Sequence, residues 1–423
     1  MDNAPQRTAR VPARVVVTGI GVLSGFGNGL AALEDGLFSG RTAIRRIESL
    51  DTRALTCHFG AELPAFDGQA LIQKAERHAY DRVSLMALAA ADEALAQAGL
   101  DPAEIGPTAG VMMGTAFGPG DAIQDAVLRA SENQRLRPTT ILKMMLNGPT
   151  AALCARYRLQ RGSQAHVTAC AASAHAIAQA VQAVRWGEMD VCLAGGADAF
   201  PTSALFTAWD ALAIMSAATD PTAGIMKPFA PDRSGFVIGE AATVLILERE
   251  DHAIARGATP LAEICGAGAV TDTPTLTKPT LRGMVGAMRA ALEDAGLDPA
   301  AVGHINAHGT ATELNDSLES DAIRAVFGPH APAIRVSACK AALGHCMGAG
   351  SAVEAAATIL ALCRQQSPWT IDPTAVTADP QTGPQPTAPY SGQTVPMDTD
   401  IALSNSFAFG GHYATLAFRV TKP

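Results

Sequence analysis

The chain has 423 residues, 48% of them hydrophobic and 17% charged, a composition that suits a well-buried α/β enzyme and argues against disorder. Its length exceeds what one hydrophobic core usually serves, so two domains or a duplicated architecture are expected. A net charge of −9 and a pI near 5.6 give no reason to expect binding to nucleic acid or anionic membranes.

The start, MDNAPQRTARVPARVVVTGIG, carries two early arginines but no apolar run of secretory length. No uncharged apolar stretch approaches the ~18 residues needed to span a bilayer, so a cytoplasmic protein is expected. The eight cysteines show no CxxC pair and no disulfide-scaffold density, and are read as reduced thiols.

Short apolar runs with strand character fall at Val15–Thr18, Gly110–Met113, His166–Ala169, Val191–Ala194, Ala242–Glu248, Ile334–Ser337 and Ile401–Ser404. Helical patterns lie between them at Asp81–Ala98, Ala172–Trp186, Leu281–Ala295, Asp316–Val326 and Ala349–Cys363. This alternation favours sheets covered by helices. The Pro/Thr-rich stretch Pro368–Pro396 has little periodicity and reads as a long surface excursion.

Two echoes run through the chain in the same order. ALAQAGLDPAEIG at Ala94–Gly106 returns as ALEDAGLDPAAVG at Ala291–Gly303, offset by 197 residues. Val167-Thr-Ala-Cys170 returns as Val336-Ser-Ala-Cys339, offset by 169. Two copies mean a duplication rather than a repeat array. The halves are expected to be 14–255, carrying a nucleophilic cysteine, and 256–423, carrying two catalytic histidines.

Cys170 ends an apolar run and opens a long Ala-rich helix, where the dipole and free first-turn amides favour a thiolate. An inert buried cysteine is the bland alternative from that context alone. In the second half, Asn306-Ala-His308-Gly-Thr310-Ala-Thr312 follows a strand. Ser337-Ala-Cys-Lys340-Ala-Ala-Leu-Gly344-His345 ends another, with Glu354 behind it, and Asn405-Ser-Phe407-Ala-Phe409-Gly-Gly411 lies between two C-terminal strands. A lone histidine is usually structural. Two strand-end histidines beside glycines, with a cysteine at the echoed position, weaken that reading.

These segments resemble the β-ketoacyl-acyl-carrier-protein synthases of the thiolase superfamily, in the branch that includes the KAS I and II types. The similarity runs from RVVVTGIGVLS at Arg14 to the last strand, and takes in AGGADA at Ala194–Ala199 and KPFAPDRSGFVIGE at Lys227–Glu240. The resemblance implies a layered α/β/α/β/α fold with two mixed five-stranded sheets. It implies that Cys170 takes an acyl chain from an acyl carrier protein, and that His308 and His345 stabilise the enolate formed as a malonyl thioester loses CO₂. The Cys170 and Phe409 amides would then hold the oxyanion of the acyl thioester. Lys340 would set the electrostatics with Glu319 as its buried partner, and Phe407 would line the site. Thr310 and Thr312 would line the pantetheine and malonyl site, and Phe117 the far end of the acyl tunnel, favouring short or flat, unsaturated chains. Lys74, Arg77, Arg135 and Arg137 fall near the family's carrier-docking surface. No metal or organic cofactor is implied, and a dimer with itself or a related chain is.

Ala408 and Ala116 stand where the family commonly has Gly, Ala311 replaces a common Ser, and Tyr413 stands where Asn is common. None of these removes a catalytic group; they bear on chain length and on mobility of the Phe409 loop. Three rivals remain to be weighed. A non-catalytic chain-length-factor-like subunit would lack the cysteine, and a thiolase would need a second reactive cysteine near Phe409. A dinucleotide-binding enzyme is suggested by Gly19-Ile-Gly21, but its third glycine falls at the wrong spacing.

Overall fold

The computed structural model describes residues 12–421 except 75, 220–224, 369, 372–375, 380–382 and 387–393. Most of the Pro/Thr-rich stretch therefore lies outside the described residues; within it, Val376–Asp379 pairs antiparallel with Gly383–Pro386.

Five strands build the first half: β1 (Val15–Ser24), β2 (Ala109–Gly114), β3 (Ser163–His166), β4 (Val191–Asp198) and β5 (Ala241–Arg249). Their spatial order is β3-β2-β4-β5-β1, parallel across β3-β2-β4 and antiparallel onward. The second half has β6 (Ala262–Thr271), β7 (His304–Asn306), β8 (Arg335–Ser337), β9 (Ile401–Ala408) and β10 (His412–Val420). Their order, β8-β7-β9-β10-β6, has the same pattern of parallel and antiparallel neighbours. The duplication in the sequence is thus a duplication of sheet topology. The two sheets also meet, through the pairs Val16↔Glu263 and Val17↔Ala262 between β1 and β6. Glu263 is clasped there by Arg14 and Arg419, at 2.8 and 2.9 Å.

Seven helices matter for the site: α1 (Arg82–Ala98), α2 (Gly120–Ser131), α3 (Ala172–Arg185), α4 (Ser203–Asp210), α5 (Leu281–Ala295), α6 (Glu313–Phe327) and α7 (Met347–Arg364). Helices α3 and α7 lie between the sheets, and their small residues share one core with β1 and the inner sheet faces. Nearly all of α7 is buried, which its Ala-rich sequence permits at close helix–sheet spacing. Helices α1 and α5 cover the outer faces. Both are capped alike, by Asp81 or Thr280 at the start and by left-handed Gly99 or Gly296 at the end.

The Gly19-Ile-Gly21 pair has a packing cause. A Cβ at either glycine would lie 2.1 or 1.8 Å from the Ala94 or Ala90 carbonyl of α1. Gly266 and Gly268 on β6 meet the Ala291 and Ala287 carbonyls of α5 in the same way, at 2.4 and 2.2 Å. The motif lets a helix backbone touch a strand, twice, and has nothing to do with a dinucleotide.

Several element bounds differ from those expected. Strand β3 stops at His166, and Cys170 sits instead in a 3₁₀ turn, Ala169–Ala171, that leads into α3. Helix α6 begins at Glu313, three residues before the expected start; its first turn, Glu313-Leu-Asn315, carries a single apolar residue, Leu314, and that one is exposed. No helix among the described residues is long and apolar enough to cross a membrane.

Candidate active site

A cavity of about 280 Å³ opens where the ends of β7, β8 and β9 meet the start of α3, and it is lined by Cys170, His308, His345, Phe407 and Phe409. Thr310, Thr312, Asn315 and Lys278 give it a polar side, while Trp209, Ile214 and Phe236 give it an apolar one.

Cys170 is held from two directions. Its carbonyl accepts from Ser351 Oγ of α7 at 3.0 Å, and Ser173 Oγ of α3 accepts from the Ala352 amide at 2.9 Å, so the two central helices are stitched together beside the thiol. His175 Nδ1 lies 3.0 Å from both Thr168 Oγ1 and the Ala171 carbonyl, bracing the turn. Burial pushes the Cys170 thiol up to about 12, against a weaker downward pull from Lys340. Desolvation raises the thiol by more than the nearby ammonium lowers it, a shift that runs against the thiolate expected from the helix start.

His308 follows β7 and His345 follows the short turn after β8; their ring centroids are 5.7 Å apart and nearly perpendicular. Burial, with Lys340 adding to it, holds both imidazoles well below their ordinary pKa, so both are neutral. Lys340 Nζ lies 3.3 Å from His308 Nδ1, and the Met347 amide donates to His345 Nδ1 at 3.3 Å. A donor on each Nδ1 leaves the proton on each Nε2.

Glu319 is not the partner of Lys340. Its two oxygens accept from the His308 and Gly309 amides at 2.8 and 2.9 Å, and from Asn405 Nδ2 at 3.1 Å. Burial pushes its carboxyl up to about 7 while those donors pull it back. The partner of Lys340 is Glu354 on α7, with Nζ to Oε1 at 2.5 Å and both side chains 2% exposed. Position 319 is nearly two turns into α6, where it reaches the backbone of the His308 loop, whereas Lys340 faces Glu354 on α7. Glu319 thus sets the backbone of His308, and Glu354 sets the charge beside its ring.

Thr310 and Thr312 share a hydrogen bond at 2.8 Å. The loop that carries them is anchored by Arg233, which donates to the Thr312 and Glu313 carbonyls. Phe407 tilts over His308 at 5.8 Å, and Phe409 lies on the turn to β10, where Gly410 and Gly411 both take positive φ.

Phe117 does not line this cavity. Its ring meets Trp209 edge-on at 6.2 Å, and Trp209 forms the wall. Trp209 and Phe236 are among the lining residues missed in the sequence. The signal for Trp209 was available: it follows Phe206 by one turn on α4, an aromatic pair on one helix face in a chain with three tryptophans.

Lys74, Arg77, Arg135 and Arg137 are all exposed. Arg135 and Arg137 line a separate surface cleft, together with Arg82, Lys143, Asp121 and Asp125. That cleft is of mixed charge. Lys278, which was not singled out, is the lysine at the rim of the Cys170 cavity.

Two related half-sheets whose strand ends converge on a cysteine, two neutral histidines and a buried lysine define a carbon–carbon bond-forming thioester enzyme. The beta-ketoacyl synthase N-terminal domain matches residues 13–253, and the beta-ketoacyl synthase C-terminal domain matches 261–373. The chain is 37% identical to nodulation protein E of a Rhizobium species, over 96% of this chain and 99% of that one. It is 35% identical to 3-oxoacyl-[acyl-carrier-protein] synthase 2 of Synechocystis, over 96% and 98%. A structure of a type II polyketide ketosynthase with its acyl carrier protein, bound to a hexaketide, superposes with a TM-score of 0.85 at 27% identity, covering 97% of this chain and all of that one. The chain belongs to the β-ketoacyl synthase family, and it is an acyltransferase of the ketosynthase type.

Proposed function

We propose that Cys170 carries the growing acyl chain and that His308 and His345 drive decarboxylation of a malonyl group delivered on an acyl carrier protein. The observation that carries this reading is the pair of neutral imidazoles, each with a donor on Nδ1, sharing a cavity with the thiol. Two Nε2–H groups on rings that line one cavity can hold a thioester carbonyl, and they bind most strongly once that oxygen becomes an enolate.

The first half-reaction exchanges thioesters. Cys170 sulfur attacks the acyl carbonyl, the carbon–sulfur bond to the pantetheine breaks, and the thiol proton leaves with the departing thiol. Because desolvation pushes the thiol up, its deprotonation is coupled to the attack. The amides of Cys170 and Phe409 would hold the tetrahedral oxyanion. In the second half-reaction the malonyl carboxylate leaves as CO₂, and its electron pair forms the enolate held by His308 and His345. The enolate carbon attacks the Cys170 thioester; the carbon–sulfur bond breaks, and the thiolate takes up one proton from solvent. Thr310 and Thr312 would receive the pantetheine arm along the polar side. Lys340, neutralised by Glu354, orients His308 without adding net charge to the site.

The acyl carrier is a reading by relation: a similar ketosynthase has been seen with its carrier, and the exposed Arg135 and Arg137 suit an acidic partner. A second chain is suggested by β3, an outer strand with an exposed face. Val167, the residue after it, is exposed, as are the apolar side chains Val127, Leu128, Ile141, Leu142 and Leu146 elsewhere in the first half. Reduced cysteines fit a cytoplasmic location. A thiolase reading is disfavoured by Phe409 where a second reactive cysteine would stand, and a non-catalytic subunit by the presence of Cys170.

Intact-mass analysis after incubation with acyl carrier thioesters tests the proposal. One acyl group should appear on Cys170, and none on Cys170→Ala with an unchanged circular dichroism spectrum. Cys170→Gln should still decarboxylate malonyl thioesters. Acylation of the Ala variant at another cysteine would overturn the assignment.

A further inference from the structure

The apolar wall of the Cys170 cavity is aromatic, and Trp209 is its centre. The indole stacks on Phe409 with centroids 5.8 Å apart and planes 23° from parallel, and it meets Phe236 edge-on at 5.7 Å. Its place is set before any substrate arrives. Phe206, one turn earlier on α4, is fully buried and stacked on Phe200 at 6.0 Å. Asp210, the next residue, accepts from the Thr56 and Cys57 amides at 3.0 and 2.9 Å, tying the helix end to another segment. Behind the indole stands Phe117. The Phe117 amide is bound by Asp198 at 3.0 Å, and that buried carboxylate also holds Thr115 Oγ1 and the Ala116 amide. Asp198 thus fixes the backbone from which the Phe117 ring packs against Trp209.

We infer that Trp209, and not Phe117, ends the acyl channel and selects its occupant: short acyl groups, or planar conjugated ones, over long saturated chains. The inference rests on the reading of Cys170 as the acyl carrier residue. An acyl group on Cys170 must extend along the apolar side of the cavity, since the other side is polar and opens toward Lys278. There it meets the flat faces of Trp209 and Phe409. A conjugated chain is one π layer thick and can lie against those faces in offset stacking. A saturated chain carries tetrahedral carbons and gauche bends that need a wider slot, and a packed wall does not yield that width cheaply.

The test measures the rate of Cys170 acylation in the full chain by intact mass, using pantetheine thioesters so that carrier docking plays no part. Butyryl, octanoyl, octatrienoyl and dodecanoyl groups form the panel. The wild-type protein should load octatrienoyl faster than octanoyl, and butyryl far faster than dodecanoyl. Trp209→Ala should raise the dodecanoyl-to-butyryl ratio by at least about tenfold, the lower end of what a misfit methylene costs in an apolar pocket, and should erase the octatrienoyl preference. Trp209→Phe should keep that preference, and Phe117→Ala should move the ratio less than Trp209→Ala does. A ratio unchanged by Trp209→Ala, or moved more by Phe117→Ala, overturns the inference. So does wild-type protein that loads octanoyl as fast as octatrienoyl, a comparison that stands even if Trp209→Ala fails to fold. Absence of any adduct on wild-type Cys170 is a separate result, which would refute the Cys170 reading itself.

Discussion

Replacing Lys340 with Met removes the ammonium shared by Glu354 Oε1 at 2.5 Å and His308 Nδ1 at 3.3 Å. At 2.5 Å the ion pair attracts by about 7 kcal/mol with an effective dielectric near 20, against a desolvation penalty of several kcal/mol for each ion. The intact pair is therefore close to neutral for stability, whereas removing one member costs roughly 3–5 kcal/mol. Glu354 can soften that loss by taking a proton. Burial already pushes its carboxyl up, Lys340 is the main counterweight, and Oε2 has no hydrogen-bond partner among the described residues. Lys340→Met should lower Tm, and Lys340→Met with Glu354→Gln, which removes both charges, should recover most of it. Catalysis should respond differently. Without the ammonium, His308 can move its proton to Nδ1 and turn a lone pair toward the enolate, a loss of at most one donor, or roughly 10²–10³ in kcat. Lys340 also holds both imidazoles down, so its removal raises their pKa. Below that raised pKa an imidazolium again carries Nε2–H. Malonyl decarboxylation by Lys340→Met, followed as acetyl thioester by mass spectrometry between about pH 5 and 8, should be slow at high pH and recover as pH falls. Over the same range the wild-type histidines stay neutral and contribute no such rise. A variant with the wild-type rate and a flat profile would refute the orienting role of Lys340.

His308→Ala and His345→Ala should each lose malonyl decarboxylation by roughly 10²–10³-fold while still forming the Cys170 acyl adduct; decarboxylation intact with loading lost would reverse the roles. Glu319→Leu strands the buried amides of His308 and Gly309, at about 1–3 kcal/mol for each unmet donor, so thermal unfolding should occur earlier and decarboxylation should fall with it. A Tm equal to wild type would show that those amides find other acceptors. Arg135→Glu and Arg137→Glu should raise KM for carrier-bound substrate in a salt-sensitive way and leave pantetheine thioesters unaffected; equal losses with both substrates would point to misfolding.

Local pattern carried much of this protein. Helices α1 and α5 were readable because each begins at a capping side chain, ends at a left-handed glycine and keeps an apolar face between. Their repetition in ALAQAGLDPAEIG and ALEDAGLDPAAVG marked the duplication that the sheets then display. The cysteine was readable because it ends an apolar run and opens an Ala-rich helix, and both histidines because each follows a strand beside glycine; the cavity brings all three together. What the sequence could not settle was which buried groups face one another. Glu319 and Glu354 are both acidic residues on helices behind the site, 21 and 14 positions from Lys340, and spacing alone does not distinguish them. The choice was made by which helix passes beneath the lysine. Trp209 and Phe409 lie 200 positions apart and meet only because α4 and the β9–β10 turn close on the same cavity. The ionisation of Cys170 also depends on the fold. A helix N-terminus, visible in sequence, favours a thiolate, while desolvation in the packed structure pushes the thiol up, and desolvation is a property of the packed structure rather than of any local run of residues.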